Sequence, residues 1–348
     1  MAAIVRGGGR ARRIQFPHTY QDIISVENLL EAWQEFLRDK CNKRDVQEFG
    51  AHLMDNILDL HHDLAHQSYQ HGPYHAFKIN DPKPRDIHKA SVRDRLVHHA
   101  LHRKLYPFFD RTFVADSYSC RVGKGTQRAV NQFRSFAYKV SKNHTRTCWV
   151  LKCDIKKFFA NIDHDILKNI LAKRIRDRDI LQLVDKIIDS FTTYTSCTTV
   201  ENAYKKGFPL GNLTSQLLVN IYMNDFDQQV QHKLKAHYYI RYADDFVVLS
   251  HDRHVLVSMV RPVAVFLRER LRLELHPKKI SITSLASGVD FLGWVHFPDH
   301  RALRTSTKRR MLRNCHGKDS DDAAVLSYAG LLSHGNARML LRHLQKSI

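Results

Sequence analysis

Apolar residues first recur at helical spacing near the N-terminal end of the chain. Ile23, Ile24, Leu29, Leu30, Trp33 and Phe36 follow that period, so residues 20–70 are predicted as amphipathic helices whose apolar face packs a core. The pattern then changes. HGPYHAFKINDPKPRDIHKA (71–90) alternates briefly and then meets two prolines, which do not fit a helix interior; a hairpin with its loop is predicted. Residues 91–112 return to helical spacing. RVGKGTQRAV is a basic, glycine-containing turn leading into a helix through about residue 142. CWVLKCDIKKFF opens as an apolar run of β-formers, which reads as a buried strand ending at Asp154. A helical stretch over 163–195, a turn at GFPLGNLTSQ and a helix through LLVNIYMNDFDQQVQHKL come next. YYIRYADDFVVLS has two short apolar runs around an acidic tip, the pattern of a β-hairpin. A helix over 253–272, a short strand at 279–284 and a strand near 289–297 are followed by a basic, mostly helical stretch, 301–348. Residues 1–15 are Gly- and Arg-rich and are expected to form a flexible tail. No internal repeat or low-complexity linker divides the chain, so one continuous body is expected.

Composition adds one strong constraint. With 348 residues, 43% hydrophobic and 26% charged, the chain is long enough for a large domain or several packed subdomains. Fifty-five Lys and Arg against thirty-five Asp and Glu give a formal charge of +20. Such a surface attracts polyanions, nucleic acid first and an anionic membrane surface second. The six cysteines, at 41, 120, 148, 153, 197 and 315, form no CxxC pair, so zinc is not expected despite 23 histidines, and their scatter suits a reducing compartment. The N-terminal segment has no apolar core of a signal peptide, and no run of about 18 apolar residues occurs. A cytoplasmic protein without a membrane segment is expected.

The carboxylates carry the chemistry. Joining a 3′-hydroxyl to the α-phosphate of a nucleotide is assisted by two Mg²⁺ ions about 3.5–4 Å apart, which stabilise the attacking and leaving oxygens. Mg²⁺ takes hard oxygen ligands, so a few carboxylates on a rigid floor suffice. Asp154 ends one predicted strand, and Asp244 and Asp245 occupy the tip of YADDF. A bare Asp-Asp pair marks a solvated turn. Framed by apolar β-formers, adjacent acids repel each other and call for a cation. If the strands share a sheet, Asp154 and Asp244 meet at one end.

These boxes, in this order over about residues 72–300, resemble reverse transcriptases, the RNA-directed DNA polymerases. The resemblance implies an α+β right-hand polymerase, with fingers, a palm of antiparallel sheet and helices, and a short helical thumb. It places a flexible basic N-terminus at 1–20, helices and fingers at 21–150, the palm with part of the fingers at 151–298 and the thumb at 299–348. It implies two Mg²⁺ ions, with Mn²⁺ as a substitute, held by Asp154, Asp244, Asp245 and the backbone carbonyl of Ile155. Phe159, five residues after Asp154, matches the bulky gate against a ribose 2′-hydroxyl; taken alone it reads as core. Lys83 and Arg85 of KPR match residues that hold the incoming triphosphate, with Arg93 and Arg95 as weaker candidates. Gly123, Lys124 and Gly125 of RVGKGTQRA match the segment where fingers meet template. Lys279 of LELHPKKISI matches a lysine that acts as general acid toward pyrophosphate, with Lys278 as the neighbouring alternative. Phe291, Leu292, Gly293 and Trp294 match the primer grip; Trp294 reads equally as core. Lys308, Arg309 and Arg310 suit a thumb that lies on the template–primer duplex.

One box departs from the common pattern. Many reverse transcriptases, those of group II introns included, carry QGxxxSP where this chain has PLGNLTSQ, so Leu210 stands for Gln, before Gly211, and Gln216 for Pro. LGNLTSQ, with GKGTQRA and DRLVHHAL, is most similar to reverse transcriptases of diversity-generating retroelements, although many of those have a YMDD-like tip where this chain has YADD. That branch implies copying of a template RNA into cDNA with errors at template adenines, using dNTPs, a primer and a small basic accessory protein. About fifty residues follow FLGW, too few for a maturase, HNH or RNase H region, which argues against a complete intron-encoded protein. The alternatives are a retron or phage-defence reverse transcriptase and, from another class, a catalytically silent RNA-binding protein, against which the three intact acids speak.

Overall fold

Side-chain caps set the helix starts that apolar periodicity only brackets. Ser25 accepts from the Asn28 N–H, Ser91 from Asp94, Asp163 from Ile166, and Asp177 from Asp179 and Ile180, each satisfying amides that lack an intrahelical partner. The computed structural model describes residues 14–80, 84–191, 205–319, 321–337, 340 and 342. Along them run α1 (Tyr20–Ile24), α2 (Val26–Leu37), α3 (Arg44–Ala51), α4 (Leu53–Ala65), β1 (His75–Ile79), β2 (Arg85–Lys89), α5 (Val92–Asp110), α6 (Thr126–Val140), β3 (Trp149–Asp154), α7 (His164–Ala172), α8 (Arg178–Asp189) and α9 (Leu213–Gln228). There follow β4 (Tyr239–Tyr242), β5 (Asp245–Ser250), α10 (Arg253–Leu271), β6 (Ser281–Ser284), β7 (Val289–Phe291), β8 (Trp294–His296), β9 (Arg301–Leu303), α11 (Thr305–Cys315) and α12 (Ala323–Ser333).

The chain forms two compact units, Met1–Thr112 with Phe159–Tyr222, and Phe113–Phe158 with Met223–Ile348. In the first, α2 packs on α4 and α5, burying Ile24, Leu29, Trp33, Phe36, Leu60, Leu96 and Leu101, whereas Leu30 is only half-buried. The β1–β2 hairpin is antiparallel from His75 opposite Lys89 to Ile79 opposite Arg85, and all of β1 is exposed.

In the second unit an antiparallel sheet of order β4-β5-β3-β6 carries α6 on one face. Phe133 and Phe136 of α6 meet Val150, Ile240, Val247 and Leu249 there. Across β5, Phe246 packs edge-on to Phe226 of α9. β3 is central and buries residues on both faces, which is why it reads as a continuous apolar run. A second sheet, β7-β8-β9, shares a core of Trp294, Leu303, Met311, Val325 and Leu332 with α11 and α12.

Several local expectations change. The strand expected at 289–297 is a hairpin, because Leu292 (φ 51°) and Gly293 (φ 87°) turn the chain between β7 and β8. The strand expected from 279 begins at Ser281, since Pro277–Lys279 form a 3₁₀ turn. Residues 301–303 are a strand, paired with β8, at the start of a stretch expected to be mostly helical. α9 starts at Leu213, inside the segment read as a turn. At the other end, the chain is packed before α1: Phe16 is buried and its N–H donates to the Arg174 carbonyl. The Gly/Arg-rich stretch 1–13, the distal part of the 163–195 helical expectation and the last residues lie outside the described residues.

Candidate active site

The three candidate acids are brought together by strand register. β3 and β5 pair so that Asp154 lies opposite Asp245, and the Ile155 N–H donates to the Asp244 carbonyl at 3.2 Å. β4 and β5 close with Tyr242 opposite Asp245, leaving Ala243 and Asp244 as a two-residue tip. Ala243 has φ 55°, the left-handed conformation that such tight hairpin loops demand and that a residue with a Cβ adopts at a cost. All three acids of the sequence reading therefore stand at one end of the four-stranded sheet. Lys279 joins them: its Nζ lies 2.7 Å from Asp154 Oδ2. Lys278, the alternative, is exposed and makes no such contact.

Burial and mutual repulsion shape the electrostatics. Burial pushes the Asp244 carboxyl up from 3.8 to about 6, and the neighbouring charges of Asp245 and Asp154 add to the rise. Asp245 is raised too, chiefly by burial, while the charges of Lys152, Lys279 and Arg304 pull it back. The Lys279 ammonium is held above its ordinary value, mainly by its hydrogen bond to Asp154. Removing that cation, as in Lys279→Met, is expected to raise the Asp244 and Asp245 carboxyls further. A ¹³C-carboxylate NMR titration of the metal-free protein checks this, and unmoved titrations would refute the coupling.

Lys152 and Arg304 escaped the sequence reading. A signal for Lys152 was present: it precedes Asp154 by two along a strand, so both project from the same face. Its Nζ donates to the Asp290 carbonyl at 2.6 Å, and Arg304 pairs with the Asp290 carboxylate. Nothing local marked Arg304, which lies about sixty residues beyond the acidic tip.

Other candidates of the second unit divide by burial. Gly123 (φ 69°) and Gly125 (φ 104°) adopt backbone that favours glycine, and a Cβ built at Gly125 would meet nothing within 4 Å, so the turn offers open backbone. Lys124 between them is engaged with the protein itself: its Nζ donates to the Ala115 carbonyl at 2.7 Å and lies 5.0 Å from the Tyr118 ring centre. Phe291 and Trp294 are core residues, 0% and 1% exposed. Only the half-buried Leu292–Gly293 turn between them is presented. Lys308 and Arg309 are exposed on α11, whose Met311 and Cys315 are buried, while Arg310 donates to the Tyr328 hydroxyl.

The first unit gathers a second set. The Leu210 carbonyl accepts from the His88 N–H at 3.3 Å, and Asn212 Nδ2 donates to the His88 carbonyl at 3.1 Å. This docks the departing box on β2, the strand that carries the exposed Arg85. Gly211 (φ 105°) is needed there, because an added Cβ would come within 3.1 Å of Ile87 Cγ2. The Phe159 carbonyl accepts from the Phe208 N–H at 2.9 Å, and Phe159 is half-buried, whereas its neighbour Phe158 is core. Gln216 is half-buried in α9. Arg93 and Arg95 are ion-paired with Asp63 and Asp45 respectively, so they tie helices of this unit together and are not free phosphate ligands. Lys83 lies outside the described residues.

The acid cluster has the donor chemistry of a Mg²⁺ site: hard carboxylate oxygens, close enough to repel one another. Among the described residues, no group of three His, Cys, Asp or Glu stands as a ready ligand set, and at Asp154 the Lys279 ammonium occupies one carboxylate oxygen.

Comparison with known proteins decides the family. The family model for reverse transcriptase (RNA-dependent DNA polymerase) matches residues 78–296, more than half of the chain. The chain belongs to the reverse transcriptase family. Among curated relatives, this reverse transcriptase is similar to Protein YkfC of Escherichia coli, 25% identical over 79% of this chain and 77% of that protein. It is also similar to the group II intron-encoded protein LtrA of Lactococcus lactis, 22% identical over 67% of this chain and 47% of that protein. The relatives of this family member thus include a group II intron-encoded protein, and the chain spans less than half the length of LtrA. Among its described residues, no helix is long and apolar enough to cross a membrane.

Proposed function

We propose that the chain is an RNA-directed DNA polymerase that extends a primer on a template RNA from dNTPs, in the right-hand arrangement. In this reading β4-β5-β3-β6 is the palm floor, β1–β2 belongs to the fingers and α11–α12 to the thumb. The observation that carries the reading is the convergence of the buried Asp154 and the half-buried Asp244 and Asp245 at one sheet end, where they repel one another. Asp154, Asp244, Asp245 and the Ile155 carbonyl would hold Mg²⁺, or Mn²⁺ in its place. Such ions, when bound, stabilise the attacking and leaving oxygens of an in-line displacement. Lys279 holds a proton on Nζ beside Asp154, the position of a general acid toward the departing pyrophosphate. Arg85, Leu210, Gly211 and Gln216 are assigned to the nucleotide, with Lys83 by resemblance alone. Phe159 is assigned to sugar selection. The Gly123–Gly125 turn is assigned to template and the Leu292–Gly293 turn to primer.

The finer reading is a diversity-generating retroelement enzyme, error-prone at template adenines and working with a small basic accessory protein. Leu210 supports it. A Gln there can hydrogen-bond near the incoming sugar; Leu cannot, and a lost hydrogen bond of about 0.5–1.5 kcal/mol relaxes selectivity by up to roughly tenfold. Leu210→Gln is expected to lower misincorporation at template adenines by several-fold, measured by sequencing the cDNA. An unchanged error spectrum would remove Leu210 from this role.

The test of the function is primer extension on a defined RNA template with dNTPs and Mg²⁺, for wild type and Asp244→Ala, with and without a basic protein encoded nearby. Metal-dependent extension with errors at template adenines supports the full reading. Accurate extension keeps the polymerase and moves the assignment to the retron or defence branch. Absence of extension under every condition overturns the polymerase reading in favour of RNA binding.

A further inference from the structure

We propose that Arg241 is a positioning residue for the catalytic turn: its buried guanidinium clamps Asp227 and simultaneously holds the Ala243 carbonyl, fixing where Asp244 and Asp245 stand. The consequence for catalysis rests on the polymerase reading above; the positioning itself rests on geometry.

Arg241 and Asp227 are 1% and 0% exposed. The pair is two-pronged, with Nε donating to Asp227 Oδ1 and Nη2 to Oδ2, both at 2.7 Å. Tyr239 also donates its hydroxyl to Asp227 Oδ1 at 2.6 Å. The remaining arms reach outward. Nη2 donates to Ser117 Oγ at 3.1 Å, and Nη1 donates to the Ala243 carbonyl at 3.1 Å.

A buried ion pair is weak as a source of stability, because desolvation offsets the attraction and an apolar pair of similar volume often does as well. An apolar pair could not hold the turn. Ala243 is left-handed without being glycine, and such backbone persists only where its surroundings over-determine it. Beside the Ile155 N–H on the Asp244 carbonyl, the guanidinium supplies the two-residue tip with a restraint directly at the residue before Asp244. It does so from a rigid base, since the Arg241 N–H donates to the Asp116 carbonyl at 3.0 Å and the Arg241 carbonyl accepts from Tyr118 at 2.9 Å. The same short segment anchors the glycine turn, because the Gly125 N–H donates to the Tyr118 carbonyl at 3.0 Å. One planar fork therefore joins α9, the Gly123–Gly125 approach and the acidic tip. A lysine can neutralise Asp227, but as a point charge it cannot reach all these acceptors at once.

The test uses the full chain with Arg241→Lys. Circular dichroism and thermal unfolding establish that the variant folds. Hydrogen–deuterium exchange is expected to accelerate in peptides covering 242–246 and to stay unchanged in the rest of the sheet. In primer extension kcat should fall by about 10- to 100-fold, the scale for a small misplacement of catalytic groups. KM for dNTP and the affinity for template–primer should stay within about twofold, and half-maximal activation should need several-fold more Mg²⁺. A role in folding alone would not produce that separation.

If Arg241→Lys does not fold, the neutral pair Arg241→Gln with Asp227→Asn removes the arm to Ala243 without burying a lone charge, and the same exchange and kcat changes are expected. Wild-type exchange over 242–246 in a folded variant overturns the proposal, as does a kcat loss that merely follows the folded fraction. If the wild type itself extends no primer, the polymerase reading fails, and the exchange comparison still decides the role of Arg241.

Discussion

Asp244→Asn is expected to cut primer extension by about 10³-fold or more while making the metal-free protein more stable above pH 6. Both effects come from one cause. Asp244 shares its buried sheet end with Asp154 and Asp245, and in the folded chain its carboxyl is pushed from 3.8 to about 6. The folded state therefore holds this proton more tightly than the unfolded state does. The stability that goes with the raised pKa is fully present below about pH 4 and is lost as pH rises through about 6. Asparagine keeps the shape and removes the charge. In chelator, the variant should gain about 1–3 kcal/mol over wild type at pH 7–8 and little at pH 4. On the proposed reading Mg²⁺ acts in the opposite direction on wild type, because it would bind the ionised carboxylates. It should stabilise wild type, should stabilise the variant far less, and should shift the acid limb of wild-type activity to lower pH as its concentration rises. Denaturant unfolding between pH 4 and 8, with and without Mg²⁺, measures the stability half; single-turnover extension measures the other. Equal extension by the variant would remove Asp244 from the chemistry. Equal stability across the pH range would show that burial and the neighbouring acids do not raise the Asp244 carboxyl.

Phe159→Ala is expected to raise incorporation of ribonucleotides relative to deoxynucleotides by about 10²-fold, with dNTP turnover changed only a few-fold. If Phe159 gates the sugar as proposed, discrimination against a ribose is built by a clash with the extra hydroxyl, and removing the clash relaxes selectivity without removing a contact that the correct substrate needs. The two adjacent phenylalanines separate this role from packing. Phe158 is core, and Phe158→Ala should cost about 3–5 kcal/mol of stability. Phe159 is half-buried and its backbone carbonyl is tied to Phe208, in the same box as Leu210 and Gly211, so the ring can be trimmed at smaller cost. Extension by a single rNTP or dNTP, with melting temperatures of both variants, checks the pair. Unchanged sugar selectivity in a folded Phe159→Ala would return that ring to packing.

What the sequence by itself determined is local. Apolar runs of β-formers around single acids identify Asp154, Asp244 and Asp245, because strand patterning and charge placement both act within a few residues. The same holds for the helices of residues 20–70 and for the hairpins at 75–89 and 239–250. Even the face shared by Lys152 and Asp154 was legible in the two-residue period of a strand, although it was not read. The tertiary structure alone decided which distant groups meet. Periodicity says that 149–154 and 245–250 are strands but not that Asp154 pairs with Asp245, since register is set by burial across the whole sheet. It could not choose Lys279 over Lys278, because that choice follows from the 3₁₀ turn that aims one ammonium at Asp154. Arg93 and Arg95 looked like phosphate ligands until the fold gave them Asp63 and Asp45 as partners. The primer-grip resemblance of Phe291 and Trp294 left open whether their rings are core, and the turn at Leu292–Gly293 places both inside. Arg241 and Asp227 carry no local signal at all, because a charged residue in a strand or at a helix end is ordinarily solvated. Only the packing of α9 against the sheet removes water from both and leaves each as the other's partner.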